Sequence, residues 1–356
     1  MAPKLMRAAV CKELGERLVI EQVPVPVPQG REVLVRVEAV SLCHSDISII
    51  SGSIAPLSLP LIVGHEAVSI IESLGPDATS FGLKVGDRIG APLWHGMCLD
   101  CVDCKEHGPD FCPTKQVKGL NAPGYFAEYT LVDAASAVVI PKEAMVTASP
   151  AALAPLFCAG VTVWDALKRA KLQPTETIAI VGAGGLGQIA ARYAQAMGVR
   201  VIVLDVQDEQ LQRAKANGSA DHILNTKGIA PDQLASQVAA VNHGRLADAV
   251  VVTSGAIPAY GTSWNIVRTE GRVIAVGIPA NDLALTMGIF TGRALQLIGA
   301  KVPGQEAARK CIEFSIRKNI FPEVNPRKFR LEDINDMISL MKEGKVQDGR
   351  MVVQFF

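Results

Sequence analysis

No run of eighteen or more apolar residues occurs in the 356-residue sequence, and this excludes a helical membrane span. Lys4 and Arg7 lie near the N-terminus, but no long apolar segment follows them, so no secretory leader is expected. Net charge is also missing. Lys and Arg total 35, as do Asp and Glu, which leaves no electrostatic reason to expect nucleic acid or an anionic membrane as partner. There is no internal repeat and no low-complexity tract. What remains is an ordinary globular composition, 49% hydrophobic and 20% charged. At roughly 150 residues per domain, the length predicts two domains with ample core. The eight cysteines have two readings. They can pair as disulfides, but four crowd between Cys98 and Cys112, and that density favours metal binding in a reducing cytoplasm.

Up to about residue 140 the chain breaks into short β-rich pieces separated by Gly and Pro. Residues 33–39 alternate like a strand. Residues 23–28 alternate Val and Pro, which excludes a central strand because Pro lacks the N–H donor. From about residue 155 the texture changes. Ala159–Ala170 reads as a helix. Apolar runs at 178–181, 201–204, 249–252, 273–276 and 297–298 read as strands, and 188–197 has helical periodicity. Strands alternating with helices imply a parallel sheet covered on both faces. The last fifty or so residues return to a mixed composition. The fold class is therefore α/β, with a nucleotide-binding domain at 156–300. It is inserted into a β-rich domain formed by 1–155 and 301–356.

Residues 182–187 read Gly-Ala-Gly-Gly-Leu-Gly, directly after a predicted strand and before a predicted helix. Gly182 permits the tight turn, Gly184 lets backbone approach a pyrophosphate, and Gly187 allows close helix–strand packing. The helix start, with Gly185 and Leu186, offers N–H groups and a positive dipole end to phosphate. Asp205 closes the next strand, where a carboxylate binds ribose hydroxyls and repels a 2′-phosphate. No Arg follows it, so NAD is expected rather than NADP. The bland alternative for Asp205 is a helix cap.

Cys98, Cys101, Cys104 and Cys112 give C-x2-C-x2-C-x7-C. One short loop, about 96–113, can wrap a tetrahedral zinc with four thiolates and no open position, which is a structural site. A four-cysteine iron–sulfur cluster is the alternative. Cys43, His65 and Cys158 offer a second donor set. Two thiolates and one imidazole leave a fourth position open, and zinc there lowers the pKa of a bound hydroxyl. Their separations of 22 and 93 residues are not a local motif, and a lone Cys or His reads equally well as core. Cys11 and Cys311 have no metal-like neighbours and read as ordinary thiols.

Taken together, these segments resemble the yeast-type branch of the zinc-dependent medium-chain alcohol dehydrogenases. The resemblance runs over essentially the whole chain. It is carried by Cys43-His44-Ser45-Asp46, Gly64-His65-Glu66, the four-cysteine lobe, Cys158-Ala159-Gly160-Val161-Thr162-Val163, the glycine loop, Gly277-Ile278-Pro279 and Gly349-Arg350. It implies a GroES-like catalytic domain plus a Rossmann domain, with the active site in the cleft between them. It also implies NAD and two zinc ions per subunit, one catalytic and one structural. By resemblance, Cys43, His65 and Cys158 hold the catalytic zinc, and Glu66 is the acid behind it. Asp46 orients His65, and Ser45 takes the substrate proton. His44 and Arg350 contact pyrophosphate, while Gly277 and Ile278 belong to the cofactor site. A homo-oligomer, dimer or tetramer, is implied, with 295–300 as a candidate edge for pairing between subunits.

The sequence departs from that branch at four places. Ser48 stands where a proton-relaying histidine is common. Residues 51–59 hold no aromatic, and Leu93 rather than Trp94 falls where an aromatic ring would narrow the pocket. The expected substrate is therefore an alcohol or carbonyl bulkier than ethanol. Ala67 and Ser69 replace glycines after His65-Glu66, and Gln210 replaces a lysine near the ribose acid. Three rivals stay open at this level: a zinc-free reductase on the same scaffold, a tailoring enzyme that runs a redox-neutral isomerisation with bound NAD, and a binding protein that kept only the fold.

Overall fold

The computed structural model describes residues 3–54, 58–346 and 348–355. The chain divides into two compact units, Met1–Val161 with Val302–Phe356, and Thr162–Lys301. Residues 156–161, assigned above to the nucleotide-binding domain, fall in the first unit. The physical reason is that the turn Ala154–Phe157 packs on the strand Glu66–Leu74.

The first unit is built on the strand Glu32–Ser41, which pairs antiparallel with Glu66–Leu74, Tyr129–Asp133 and Val352–Gln354. The last pairing explains why the chain returns here at its end. Sequence alternation suggested one wet face for 33–39. Val33, Val35, Val37 and Ala39 are buried while Arg36 and Glu38 stay partly exposed, as that alternation requires; only Leu34 departs, being buried as well. A smaller sheet places Leu5–Cys11 between Val19–Pro24 and Leu61–Ile62. Pro24 thus closes an edge strand, where a missing N–H costs nothing.

The second unit holds six parallel strands: β1 (Thr177–Val181), β2 (Arg200–Asp205), β3 (His222–Asn225), β4 (Ala247–Val252), β5 (Val267–Ala275) and β6 (Gln296–Gly299). Their order is 3-2-1-4-5-6, the doubly wound Rossmann arrangement. β1 and β4 are continuously buried, as expected for strands covered on both faces. Strand order reverses beside β1, and in such sheets ligands bind at the carboxyl ends of the strands at that point. No single helix among the described residues is long and apolar enough to cross a membrane.

Lys118 is an unusual core member of the first unit, 2% exposed. Burial pulls its pKa down to about 7. A base whose folded-state pKa lies below its unfolded value costs stability once the unfolded chain is protonated. The cost is absent at high pH, grows as pH falls from about 10 and levels off below about 7. Relative to wild type, Lys118→Met is therefore expected to gain stability between pH 10 and pH 7, on the order of 4 kcal/mol. Urea midpoints at the two pH values read this directly, and a difference that does not move with pH contradicts it.

Candidate active site

Cys43 ends the central strand region and caps the helix His44–Ile50. Asp46, in the first turn of that helix, is fully buried and accepts from the Cys43 N–H at 3.0 Å. Its other oxygen accepts from the Gly64 N–H at 3.1 Å and meets His65 Nδ1 at 3.0 Å. One carboxylate therefore fixes two donors that lie 22 residues apart in sequence. With Nδ1 engaged, the opposite ring nitrogen is the one left for another partner. The donor atoms of Cys43, His65, Glu66 and Cys158 all lie within 4.8 Å of one another.

The donors of this cluster shift one another's protonation. A hydrogen bond from Cys158 holds the Cys43 thiol well below its ordinary range, against the opposing effect of burial. Burial works against charge on His65, but Asp46 and the Cys43 sulfur outweigh it and raise the imidazole pKa well above normal. Burial pushes Glu66 up to about 7 despite the opposing Arg350 charge. Glu66 Oε1 is fully buried and has no hydrogen-bond partner. Two sulfurs, an imidazole and a carboxylate within 4.8 Å of one another fit a zinc ion, which binds thiolate, imidazole and carboxylate donors.

The four-cysteine lobe is a second such cluster, with all four sulfurs within 4.8 Å and every cysteine free of disulfides. Cys98 Sγ lies 3.5 Å from Cys112 Sγ and 3.8 Å from Cys104 Sγ. Tetrahedral zinc with bonds of about 2.3 Å sets its sulfurs about 3.8 Å apart, so one ion fits. Backbone N–H groups of Cys98 and Cys101 already donate to sulfur, at 3.3 and 3.4 Å. Burial opposes it, yet hydrogen bonds from Thr114 and Cys98 pull Cys112 down to about 6. Arg31 anchors the lobe to the main sheet through Asp133, at 2.8 and 3.0 Å, and through the Met97 carbonyl.

In the second unit the glycine loop follows β1, and Gly184 caps the helix Gly185–Ala196. A Cβ at Gly184 meets nothing within 4 Å, so that face is open to a phosphate. Asp205 accepts from the Ala183 N–H at 2.6 Å and from the Gln207 N–H at 2.9 Å. It ties the loop to the end of β2, and Gln207 rather than Asp205 caps the next helix. Gly277 lies against the Ser254 backbone, and Ile278 is 86% exposed beside it.

Residues 29–142 match the family model described as alcohol dehydrogenase GroES-like domain, and 185–317 match zinc-binding dehydrogenase. An alcohol dehydrogenase of Geobacillus stearothermophilus is 34% identical over 354 residues, covering 98% of this chain and 99% of that protein. One from Moraxella sp. is 31% identical, with 98% and 99% covered. The crystal structure of the alcohol dehydrogenase from Aeropyrum pernix superposes with a TM-score of 0.87 at 28% identity, covering 98% of this chain and all of that one. The chain belongs to the zinc-binding alcohol dehydrogenase family. It is an enzyme of alcohol and carbonyl oxidoreduction, and its donor clusters and glycine loop fit two zinc ions and NAD.

The structure of this dehydrogenase distributes the remaining site residues unevenly. Ser45 is exposed, with its hydroxyl 3.9 Å from Cys43 Sγ, and His44 is exposed one residue earlier. Ser48 donates to the His44 carbonyl at 3.3 Å. Arg350, read from sequence as a pyrophosphate contact, here donates to Glu66 and to Ser41. Ser41 carried no sequence signal, since 309 residues separate it from Arg350. Ala67 and Ser69 lie within the strand Glu66–Leu74 rather than in a turn, where the pairing shifts register opposite Ser69 and the buried Ser69 hydroxyl has no hydrogen-bond partner. Trp94 is committed to the zinc lobe, donating to the Val302 carbonyl at 3.2 Å and packing with Met97, Cys104 and Cys112. Residues 55–57 of the aromatic-free segment lie outside the described residues.

Asp46→Asn tests the shared anchor. Asn cannot accept at both oxygens, so His65 loses its orientation. Zinc retention under chelator challenge and turnover are expected to fall about 10- to 100-fold. Unchanged retention and turnover remove Asp46 from this role.

Proposed function

We propose that this enzyme is a zinc- and NAD-dependent dehydrogenase acting on a primary or secondary alcohol bulkier than ethanol, and on the matching aldehyde or ketone. The observation that carries the reading is the convergence of Cys43, His65, Glu66 and Cys158 within 4.8 Å. Cys43, His65 and Cys158 would hold the catalytic ion, and Cys98, Cys101, Cys104 and Cys112 a structural one. When bound, zinc would supply a Lewis acid for the substrate oxygen and NAD a hydride acceptor.

The chain's own residues do the rest. Asp46 orients His65 and the Cys43 backbone. Glu66, paired with Arg350 on one oxygen and unpartnered on the other, stands beside the ligand cluster. Ser45 receives the substrate hydroxyl proton. Water carries it onward, because Ser48 has no basic nitrogen and is turned to the His44 carbonyl. His44 serves pyrophosphate. Gly182, Gly184, Gly185, Leu186 and Gly187 cradle the dinucleotide, with Gly277 and Ile278 beside it. Asp205 takes the ribose hydroxyls and disfavours NADP. The engagement of Trp94 with the zinc lobe supports a roomier pocket.

The proposed enzyme is cytoplasmic and oligomeric. β6 is an edge strand with Leu297 40% exposed, which supports pairing of two copies across a two-fold axis. The test pairs zinc content per chain with NADH formation over alcohols from ethanol to benzyl alcohol. Two zincs and a kcat/KM at least about tenfold higher for the larger alcohols are expected. Ethanol as the best substrate overturns the pocket reading, and no NADH from any alcohol overturns the activity.

A further inference from the structure

A cavity of about 380 Å³ lies in the first unit, apart from both metal clusters. Met6, Ile62 and Leu131 give it apolar walls, and Glu32, His95 and Lys118 give it a polar side. Lys118 is the only buried lysine among the described residues. Its Nζ donates to Thr130 Oγ1 at 2.8 Å and to the Leu131 carbonyl at 2.7 Å, with the Tyr125 ring 5.0 Å away. An ammonium brings three hydrogens, a neutral amine two. Two acceptors satisfy the neutral amine and leave its lone pair free. Burial acts in the same direction, bringing the pKa to about 7. At pH 8 roughly nine-tenths of such an amine is neutral, against about 0.3% for an exposed lysine. Neutral lysine amines add to carbonyl carbons.

A histidine–glutamate pair lines the same cavity. His95 Nε2 lies 3.2 Å from Glu32 Oε1, while its Nδ1 is buried with no hydrogen-bond partner. Donation from Nε2–H to the carboxylate leaves Nδ1 as an acceptor. The nearby Glu32 charge disfavours anionic ligands, and the apolar walls suit a hydrocarbon chain.

We propose that this cavity is a second carbonyl-binding site, in which Lys118 captures small apolar aldehydes as a reversible Schiff base. Nζ adds to the carbonyl carbon, and His95 Nδ1 moves a proton from nitrogen to oxygen. The C–O bond then breaks, and the oxygen leaves as water with both amine hydrogens. A C=N bond to Nζ remains. No electrons are exchanged and no co-reactant is needed. The family's reaction makes and consumes aldehydes, so the site meets the same compounds without depending on the metal cluster.

The test uses the intact protein at pH 8, without NAD, incubated with hexanal and sodium cyanoborohydride to fix the imine. Adducts are mapped by mass spectrometry after digestion at glutamate. The Lys118 adduct is expected to form at least about tenfold faster than that on any other lysine, given its larger neutral fraction. Lys118→Arg loses that adduct alone, and His95→Gln slows it without changing the others. Adducts spread over exposed lysines with Lys118 unmodified overturn the proposal. The wild-type map decides by itself should Lys118→Arg fail to fold, and because labelling needs no turnover, its outcome is independent of the zinc reading.

Discussion

Cys43→Ser is expected to lower alcohol oxidation by at least about three orders of magnitude and to reduce zinc from two ions per chain to one. The sulfur at this position is the donor whose charge the site is built around. Its neighbour Cys158 donates to it, and the Asp46 carboxylate fixes its backbone N–H. A serine hydroxyl fills nearly the same space but stays protonated at neutral pH and binds zinc weakly. Cys43 is 7% exposed and the exchange is nearly isosteric, so the fold is expected to survive with a Tm within a few degrees of wild type. The four-cysteine lobe shares no ligand with this cluster and keeps its ion. Zinc analysis and NADH formation on one preparation check both parts. A variant that keeps two zincs and full turnover removes Cys43 from the ligand set.

Gly187→Ala is expected to be the most damaging single-methyl change in the second unit. A Cβ there falls 1.8 Å from the Gly182 carbonyl oxygen and 2.9 Å from its carbon. Both are backbone atoms, so no rotamer relieves the clash. The helix Gly185–Ala196 must move off β1, at a cost of about 3 kcal/mol or more. That movement dismantles the phosphate cradle, so NADH affinity falls by at least about a hundredfold. Gly184→Ala is the matched control. Its Cβ meets nothing within 4 Å, so Tm falls only by the small cost of Ala at a helix N-cap while NADH binding weakens. Thermal melts and NADH fluorescence titrations separate the two. Equal Tm values for both variants contradict the packing argument.

The sequence by itself determined whatever depends on neighbours along the chain. The glycine loop was legible because a turn, a helix start and a strand end are consecutive; the parallel sheet followed from the strand–helix alternation, but the edge strand His222–Asn225 and the order 3-2-1-4-5-6 came only from the structure. The four-cysteine lobe was legible because one loop of fifteen residues carries every donor. Cys43, His65 and Cys158 were different. Their spacing said nothing, and only resemblance to a family linked them until the fold set their donor atoms within 4.8 Å. Resemblance had already paired Asp46 with His65, but tertiary structure alone decided that the same carboxylate also holds the Cys43 N–H, and that Arg350 reaches Glu66 across 284 residues. It also decided that Trp94 serves the zinc lobe. Lys118 is the clearest case, since a lysine in a polar stretch reads as solvated. Its burial follows from strands and loops closing over it, and a group's desolvation depends on what surrounds it in space, which no local pattern encodes.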